Sequence, residues 1–210
     1  MKIEKLPLGP LQTNGYLLVQ GKEAVMIDPG GGAGELIQYT KDYDVTAILL
    51  THAHFDHIGA LEEVRKEWNC PVYMHAEEAS WLEDPQKNGS GVFPGIEAVR
   101  CSPPEHVIVE EGPLHVGSFR FDVMYTPGHS PGSISFYLEE ENIVFSGDVL
   151  FRGGVGRTDL YGGSEEVLLE SIHSRLLPLP EDTIVANGHG PETTVGSEKE
   201  TNPFINGFGW

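Results

Sequence analysis

The stretch THAHFDHIGA, residues 51–60, holds three of the chain's nine histidines within six positions. His52, His54, Asp56 and His57 bring neutral imidazole and carboxylate together. Those donors suit borderline cations such as Zn²⁺ or Fe²⁺, and a catalytic zinc usually takes three protein ligands plus water. General acid–base chemistry would need one histidine or two, not this density. In an extended segment His52 and His54 point to one side, because side chains repeat every two residues. The turn that follows can aim Asp56 and His57 elsewhere, so one segment can begin two metal sites.

Further donors stand where a polar residue follows an apolar strand among glycine or proline. These are His129 in YTPGHSPGS, Asp148 in FSGDVLF and His189 in ANGHGPE. Glycine lets the backbone come close to a metal or ligand, and a strand end fixes a side chain's direction. Each turn alone is ordinary. Together with the first cluster they give five histidines and two aspartates, enough for two cations.

The elements that must position these residues are strands and helices in alternation. Period-two patterns with β-branched residues predict strands at 14–20, 23–28, 46–51, 71–74, 118–126, 133–139, 142–146 and 182–187. Helical periodicity predicts helices at 33–42, 58–68, 76–82 and 164–177, the last opened by a serine with glutamates in its first turn. The class is therefore α/β or α+β. NGYLLVQGKEAVMIDPG and GSISFYLEEENIVFSGD share a plan of strand, turn, strand and terminal aspartate, which suggests two related halves. Residues 85–104, rich in proline and glycine, read as a lid or as a surface excursion.

Composition narrows the setting. The 210 residues can bury a full core, and no run approaches the roughly eighteen apolar residues of a membrane span. The opening MKIEKLPLGP lacks a secretory signal's apolar region, so a cytoplasmic protein is expected. The two cysteines, Cys70 and Cys101, are read as reduced, partly buried thiols. A formal charge of −19 disfavours nucleic acid and anionic membranes as partners.

HAHFDH matches the HxHxDH signature of the metallo-β-lactamase superfamily, and His129, Asp148 and His189 follow in that family's order. The chain resembles this superfamily over essentially its whole length. The resemblance implies one domain over residues 1–210 with the αββα sandwich. It also implies that His52, His54 and His129 bind one cation, that Asp56, His57 and His189 bind a second, and that Asp148 bridges them. Aspartate at 148, with the runs SGDVLFRGGVGRTDLYGG and GHGPETTVGSEKETNPF, is most similar to short glyoxalase II-like hydrolases. Such an enzyme cleaves an α-hydroxyacyl thioester, S-lactoyl thiol for instance, to an acid and a thiol. A hydroxide shared by two divalent cations, zinc first and iron or manganese as alternatives, would attack the carbonyl. Asp56 and Asp148 are the expected catalytic carboxylates.

Full-length glyoxalase II adds a helical extension that grips glutathione, whereas 21 residues follow His189 here. Arg157 in GVGRTD is a candidate for the substrate's carboxylate, or else it pairs with Asp159, so the thiol carrier stays open. The rival reading is a persulfide dioxygenase of the same fold, with one iron on His52, His129 and Asp148. A nuclease is disfavoured by the charge, a true β-lactamase by Asp148 and by the expected cytoplasmic setting, and a structural zinc module by the absence of clustered cysteine.

Outside the motifs, His75 reads as structural or as support to the site. His106, His115 and His173 read as ordinary residues, and Asp28 either as support to a metal ligand or as a turn former. The run GGGAG lacks the spacing of a nucleotide-binding loop. Trp68 and Trp81 read as core, and Trp210 ends a glycine-rich tail.

Overall fold

The structure, a computed structural model, describes residues 1–207. Trp210 lies outside the described residues. The chain forms two compact units. The first comprises residues 1–109 and 115–120, and the second residues 110–114 and 121 onward.

The first unit is built on a six-stranded sheet. It consists of β1 (Lys2–Leu8), β2 (Thr13–Gln20), β3 (Glu23–Ile27), β4 (Asp44–Leu49), β5 (Val72–His75) and β6 (His106–Ile108), in that spatial order. β1, β2 and β3 run antiparallel, after which α1 (Ala33–Thr40) carries the chain to β4, parallel to β3. Parallel pairing needs such a crossover, and it sets the C-terminal ends of β3 and β4 side by side, with Ile27 opposite Leu49. α2 (Leu61–Trp68) leads to β5. Its residues 61, 64, 65 and 68 share one face by helical spacing. Leu61 and Val64 are buried there with Leu36, Leu17, Met26 and Ile48, and Trp68 packs against the same core.

Arg65 on that face is also buried. Its guanidinium donates to the carbonyls of Ser102 (2.8 Å) and Pro103 (3.1 Å) and to Glu105, whose other oxygen takes Val72 N–H at 2.8 Å. This cation therefore ties the end of the 85–104 connection to β5. At the connection's start, buried Asn88 donates to Trp81 and Val99 carbonyls, and its own carbonyl accepts Phe55 N–H at 2.9 Å.

The second unit is built on β7 (Gly112–Val116) and β8 (Phe119–Tyr125), apart from their residues within 115–120, with β9 (Ile134–Leu138), β10 (Ile143–Gly147), β13 (Ile184–Asn187) and β14 (Thr193–Thr194). Their order in the sheet is β14-β13-β10-β9-β8-β7. β9 and β10 are antiparallel, and β13 lies parallel to β10. Between them come a small hairpin, β11 (Leu150–Phe151) with β12 (Gly154–Val155), and α3 (Glu165–Ser171). α4 (Val195–Thr201) follows β14. Each unit thus repeats an antiparallel hairpin followed by a crossover to a parallel strand, the plan that the paired sequence segments suggest.

The eight expected strands are present, with ends displaced by a few residues; β4 stops at Leu49 rather than 51. Helix 58–68 starts only at Leu61, because residues 58–60 still belong to the turn that closes the histidine loop. Segment 76–82 is a 3₁₀ helix over Ala76–Glu83, and 164–177 is α3 continued as a π-helical turn over Ile172–Leu176. β1, β6, β7, β14 and α4 are additions to the sequence reading, as is the β11–β12 hairpin.

Both cysteines are buried and free. Burial pushes the Cys70 thiol up to about 12 and the Cys101 thiol up to about 11. Because the thiolate is the reactive form, the native protein is expected to show no thiol reactive to Ellman's reagent at pH 8. Two should appear after unfolding in guanidinium, and a fast-reacting native thiol would contradict this burial.

Candidate metal centre

In the first unit the side-by-side ends of β3 and β4 place Asp28 against Thr51 and the histidine loop. Asp28 has left-handed backbone at φ 50°, which a short polar side chain tolerates better than most. Its buried carboxylate accepts Thr51 N–H (2.8 Å), Thr51 Oγ1–H (2.6 Å) and His57 Nδ1–H (2.9 Å). Thr51 has one hydroxyl hydrogen, and Asp28 receives it. Thr51 Oγ1, 3.1 Å from His52 Nδ1, therefore accepts from that nitrogen. Both rings are thus assigned as Nδ1–H tautomers, with the lone pair on Nε2. Asp28 is both the turn former and the support to a candidate ligand that the sequence left as alternatives.

The remaining first-unit donors are held nearby. His52 and His54 meet edge to face with centroids 4.8 Å apart, and His52 and His57 lie 4.1 Å apart. Asp56 Oδ2 accepts Thr13 Oγ1–H at 2.8 Å and stands 3.7 Å from His57 Nε2. Glu78, fully buried, accepts Ala53 N–H at 2.7 Å between the first two histidines. Thr13, Thr51 and Glu78 were not singled out in the sequence. Thr51, adjoining the signature at a strand end, is the one whose position could have betrayed it.

The glycine run has a packing purpose. A Cβ on Gly30 would lie 2.0 Å from the Asp56 carbonyl oxygen, and one on Gly59 2.4 Å from that of Gly30. Only glycines let the 28–31 loop and the histidine loop approach this closely.

In the second unit the parallel pair β10 and β13 sets Asp148 and His189 at neighbouring strand ends, joined by Gly188 N–H to Gly147 O at 2.8 Å. His129 follows β8 through Gly128, whose φ is 129° and whose Cβ would lie 2.2 Å from Leu168 N. His129 Nδ1–H donates to the Arg157 carbonyl at 2.8 Å, which again puts the lone pair on Nε2. Asp148 Oδ2 stands 3.7 Å from His129 Nε2 and 3.5 Å from His189 Nε2. Ligand atoms bound at 2.0–2.1 Å to one tetrahedral cation are about 3.3 Å apart. The carboxylate is thus spaced to share a cation with either ring. His189, with 32% of its side chain exposed, is the open side of this group, whereas His129 is buried.

The donor chemistry therefore fits divalent cations: His52, His57 and His129 offer Nε2, and Asp56 and Asp148 offer carboxylates. Arg157 spends Nε and Nη2 on Asp159 at 2.7 and 2.8 Å. The guanidinium's hydrogen bonds pull the Asp159 carboxyl down to about 2. Both groups are largely exposed, so the pair is weak and a competing carboxylate can displace it. Of the other histidines, His75 Nδ1 caps the 3₁₀ helix and its pKa is lowered by burial, and His106 stacks on Tyr73 at 4.3 Å. His115 and His173 are exposed.

Comparison with known proteins shows the family. The family model of the metallo-β-lactamase superfamily matches residues 8–189. The probable metallo-hydrolase YqgX of Bacillus subtilis is 53% identical, over 99% of this chain and 99% of its own. Hydroxyacylglutathione hydrolase GloC of Haemophilus influenzae is 39% identical, over 98% of this chain and 99% of its own. The crystal structure of BLEG-1 B3 metallo-β-lactamase superposes with a TM-score of 0.95 at 52% identity, covering 97% of this chain and 99% of that one.

Asp28→Asn keeps a residue that tolerates left-handed backbone but weakens acceptance from Thr51 and His57. Zinc affinity, read by competition with a chromophoric chelator, is expected to fall roughly 10- to 100-fold. Unchanged affinity would mean that Asp28 supports the turn alone.

Proposed function

Because the chain belongs to the metallo-β-lactamase superfamily and has its αββα fold, we propose that this hydrolase cleaves α-hydroxyacyl thioesters. It is a hydrolase of a group that binds divalent metals. The finer reading takes the chain as one functional domain and all seven donors as ligands. His52, His54 and His129 serve one cation, Asp56, His57 and His189 a second, and Asp148 both. The observation that carries it is the Asp148 carboxylate, whose Oδ2 faces Nε2 of both His129 and His189. The 39% identity to GloC supports a hydroxyacyl thioester as substrate.

Two cations, zinc in the first instance, would supply a water acidic enough to act as hydroxide near neutral pH and a Lewis acid for the carbonyl. The chain's own residues do the rest. Attack at the carbonyl carbon breaks the C–S bond, and the thiol leaves as thiolate, so no strong general acid is needed. Asp56, oriented by Thr13, takes up the water's proton. Arg157 binds a carboxylate of the thiol carrier when that carboxylate displaces Asp159. The substrate is a small acyl thiol, with neither nucleic acid nor membrane as partner, and the setting is cytoplasmic. Among the described residues no helix is long and apolar enough to cross a membrane.

A second substrate class has an observation behind it. The 52% identity to BLEG-1 makes a β-lactam amide an alternative target for the same attacking water.

The deciding experiment measures thiol release from S-lactoyl thioesters of several carriers, in metal-replete protein without oxygen. Release is expected, and His54→Ala and Asp148→Ala should each lower it by more than the roughly 100-fold that supporting residues are worth. Absence of release from every carrier would overturn the thioesterase. Opening of a chromogenic cephalosporin would then select the lactam, and oxygen uptake with a persulfide would select the mononuclear iron dioxygenase. Asp159→Asn should lower KM for carboxylate-bearing carriers roughly two- to five-fold, the worth of an exposed ion pair, and leave uncharged carriers unchanged.

A further inference from the structure

Within the second unit, a buried polar cluster on α4 has no part in the chemistry above. Glu198 and Asn202 are both fully buried. Glu198 accepts from Thr193 Oγ1, from Gly153 N–H at 2.8 Å and from Asn202 Nδ2 at 2.8 Å. Asn202 Nδ2 also donates to the Gly154 carbonyl at 3.0 Å, and its Oδ1 accepts Phe204 N–H at 3.0 Å. Burying a carboxylate is costly unless it is hydrogen-bonded. An apolar contact would hold a helix end without that cost. The polar contacts are directional, and those to Gly153 and Gly154 converge on the tip of the β11–β12 hairpin.

That hairpin cannot fix itself. It has two paired positions, Leu150 with Val155 and Phe151 with Gly154, and isolated two-stranded hairpins are marginal in water. Yet both of its ends enter the candidate metal centre. It starts two residues after Asp148. It ends at Val155, and a Cβ on the following Gly156 would lie 1.9 Å from the Asp148 carbonyl oxygen and 3.3 Å from His129 Cβ. The next residue, Arg157, presents the carbonyl that takes His129 Nδ1–H. Phe151, at the other end, lies edge to face with His189 at 6.3 Å.

We propose that Glu198 and Asn202 are positioning residues. By holding the hairpin tip they set the Arg157 carbonyl that orients His129, and the Phe151 ring that flanks His189. The inference rests on the metal-binding reading of these histidines and extends it to a helix outside the signature motifs.

The test uses the full chain with Asn202→Ala and Glu198→Gln, the second keeping the size of the side chain in case the first does not fold. Leu176→Ala, which truncates the apolar cluster that also holds Leu150 and Val195 but removes none of these hydrogen bonds, serves as a control for lost stability. Two readouts are taken. One is Co²⁺ affinity with the visible spectrum of the Co²⁺ protein, and the other is the ¹⁵N-histidine spectrum of metal-free protein. Asn202→Ala or Glu198→Gln should bind Co²⁺ about 10-fold more weakly, with altered visible bands. Each should also lose the Nδ1–H bias of His129 before any metal is added, whereas Leu176→Ala should lose stability and change neither readout. The proposal is overturned if the two polar variants match wild type in both, or if Leu176→Ala changes them as much. Failure of wild type to bind Co²⁺ would instead overturn the metal reading on which the proposal stands.

Discussion

The carboxylate of Asp28 is the interaction on which the first unit's donors depend. An imidazole can present a lone pair to a cation only if its other nitrogen keeps the proton, and the partner of that proton fixes the ring's direction. Asp28 does this for His57 directly and for His52 through the Thr51 hydroxyl. It can stay buried because its oxygens are occupied by three donors, and it reaches them because its backbone turns into the left-handed region as β3 ends. The same requirement is met in the second unit without a carboxylate, by the Arg157 carbonyl on His129.

Backbone crowding is the second constraint, and it explains why so much of the chain's glycine gathers at strand ends. Gly30 and Gly59 let one loop rest on another in the first unit; in the second, Gly128 lets its loop rest on α3 and Gly156 lets the chain after β12 approach Asp148. A methyl group at any of these positions would collide with backbone, not with a side chain that could move aside. The loops that carry the donors are therefore held by their own main chains, and loops held in that way can present side chains at fixed angles.

What the sequence made legible follows from this physics. The candidate donors were legible because the dense cluster at 52–57 pointed to a cation and gave meaning to three glycine-bordered strand ends, each of which alone is an ordinary turn. The central strands were legible because apolar residues crowd them. β1 was not, since KIEKLPL is an edge strand whose Lys, Glu and Pro blunt the edge and break the apolar alternation. α4 was not, because VGSEKET carries almost no apolar face and is anchored by Glu198, a residue type that sequence reading assigns to solvent. Asp28 was left with two alternative tasks and Thr51 with none, because a hydrogen bond's direction depends on a tautomer that no spacing encodes. Arg157 with Asp159 was foreseen as one of two pairings, and the choice between protein and substrate carboxylate turns on exposure, which sequence does not give.

The two units put the same residue type at the same place in the same plan, an aspartate where the second strand of a hairpin ends beside its parallel neighbour. They use it differently. Asp28 lies 2.9 Å from an Nδ1, a hydrogen-bond length, and so shares a proton with its histidine. Asp148 lies 3.5 and 3.7 Å from two Nε2 atoms, too far for a hydrogen bond and near the spacing that a common cation would impose. Which nitrogen the carboxylate faces decides whether it orients a ligand or acts as one. That choice is made by the turn after the strand: in the first unit the aspartate itself takes the left-handed conformation, at φ 50°, whereas in the second Gly147 takes it one residue earlier, at φ 52°. A one-residue shift in where the chain turns thus accompanies the difference between a carboxylate that supports a ring and one spaced to share a cation with it.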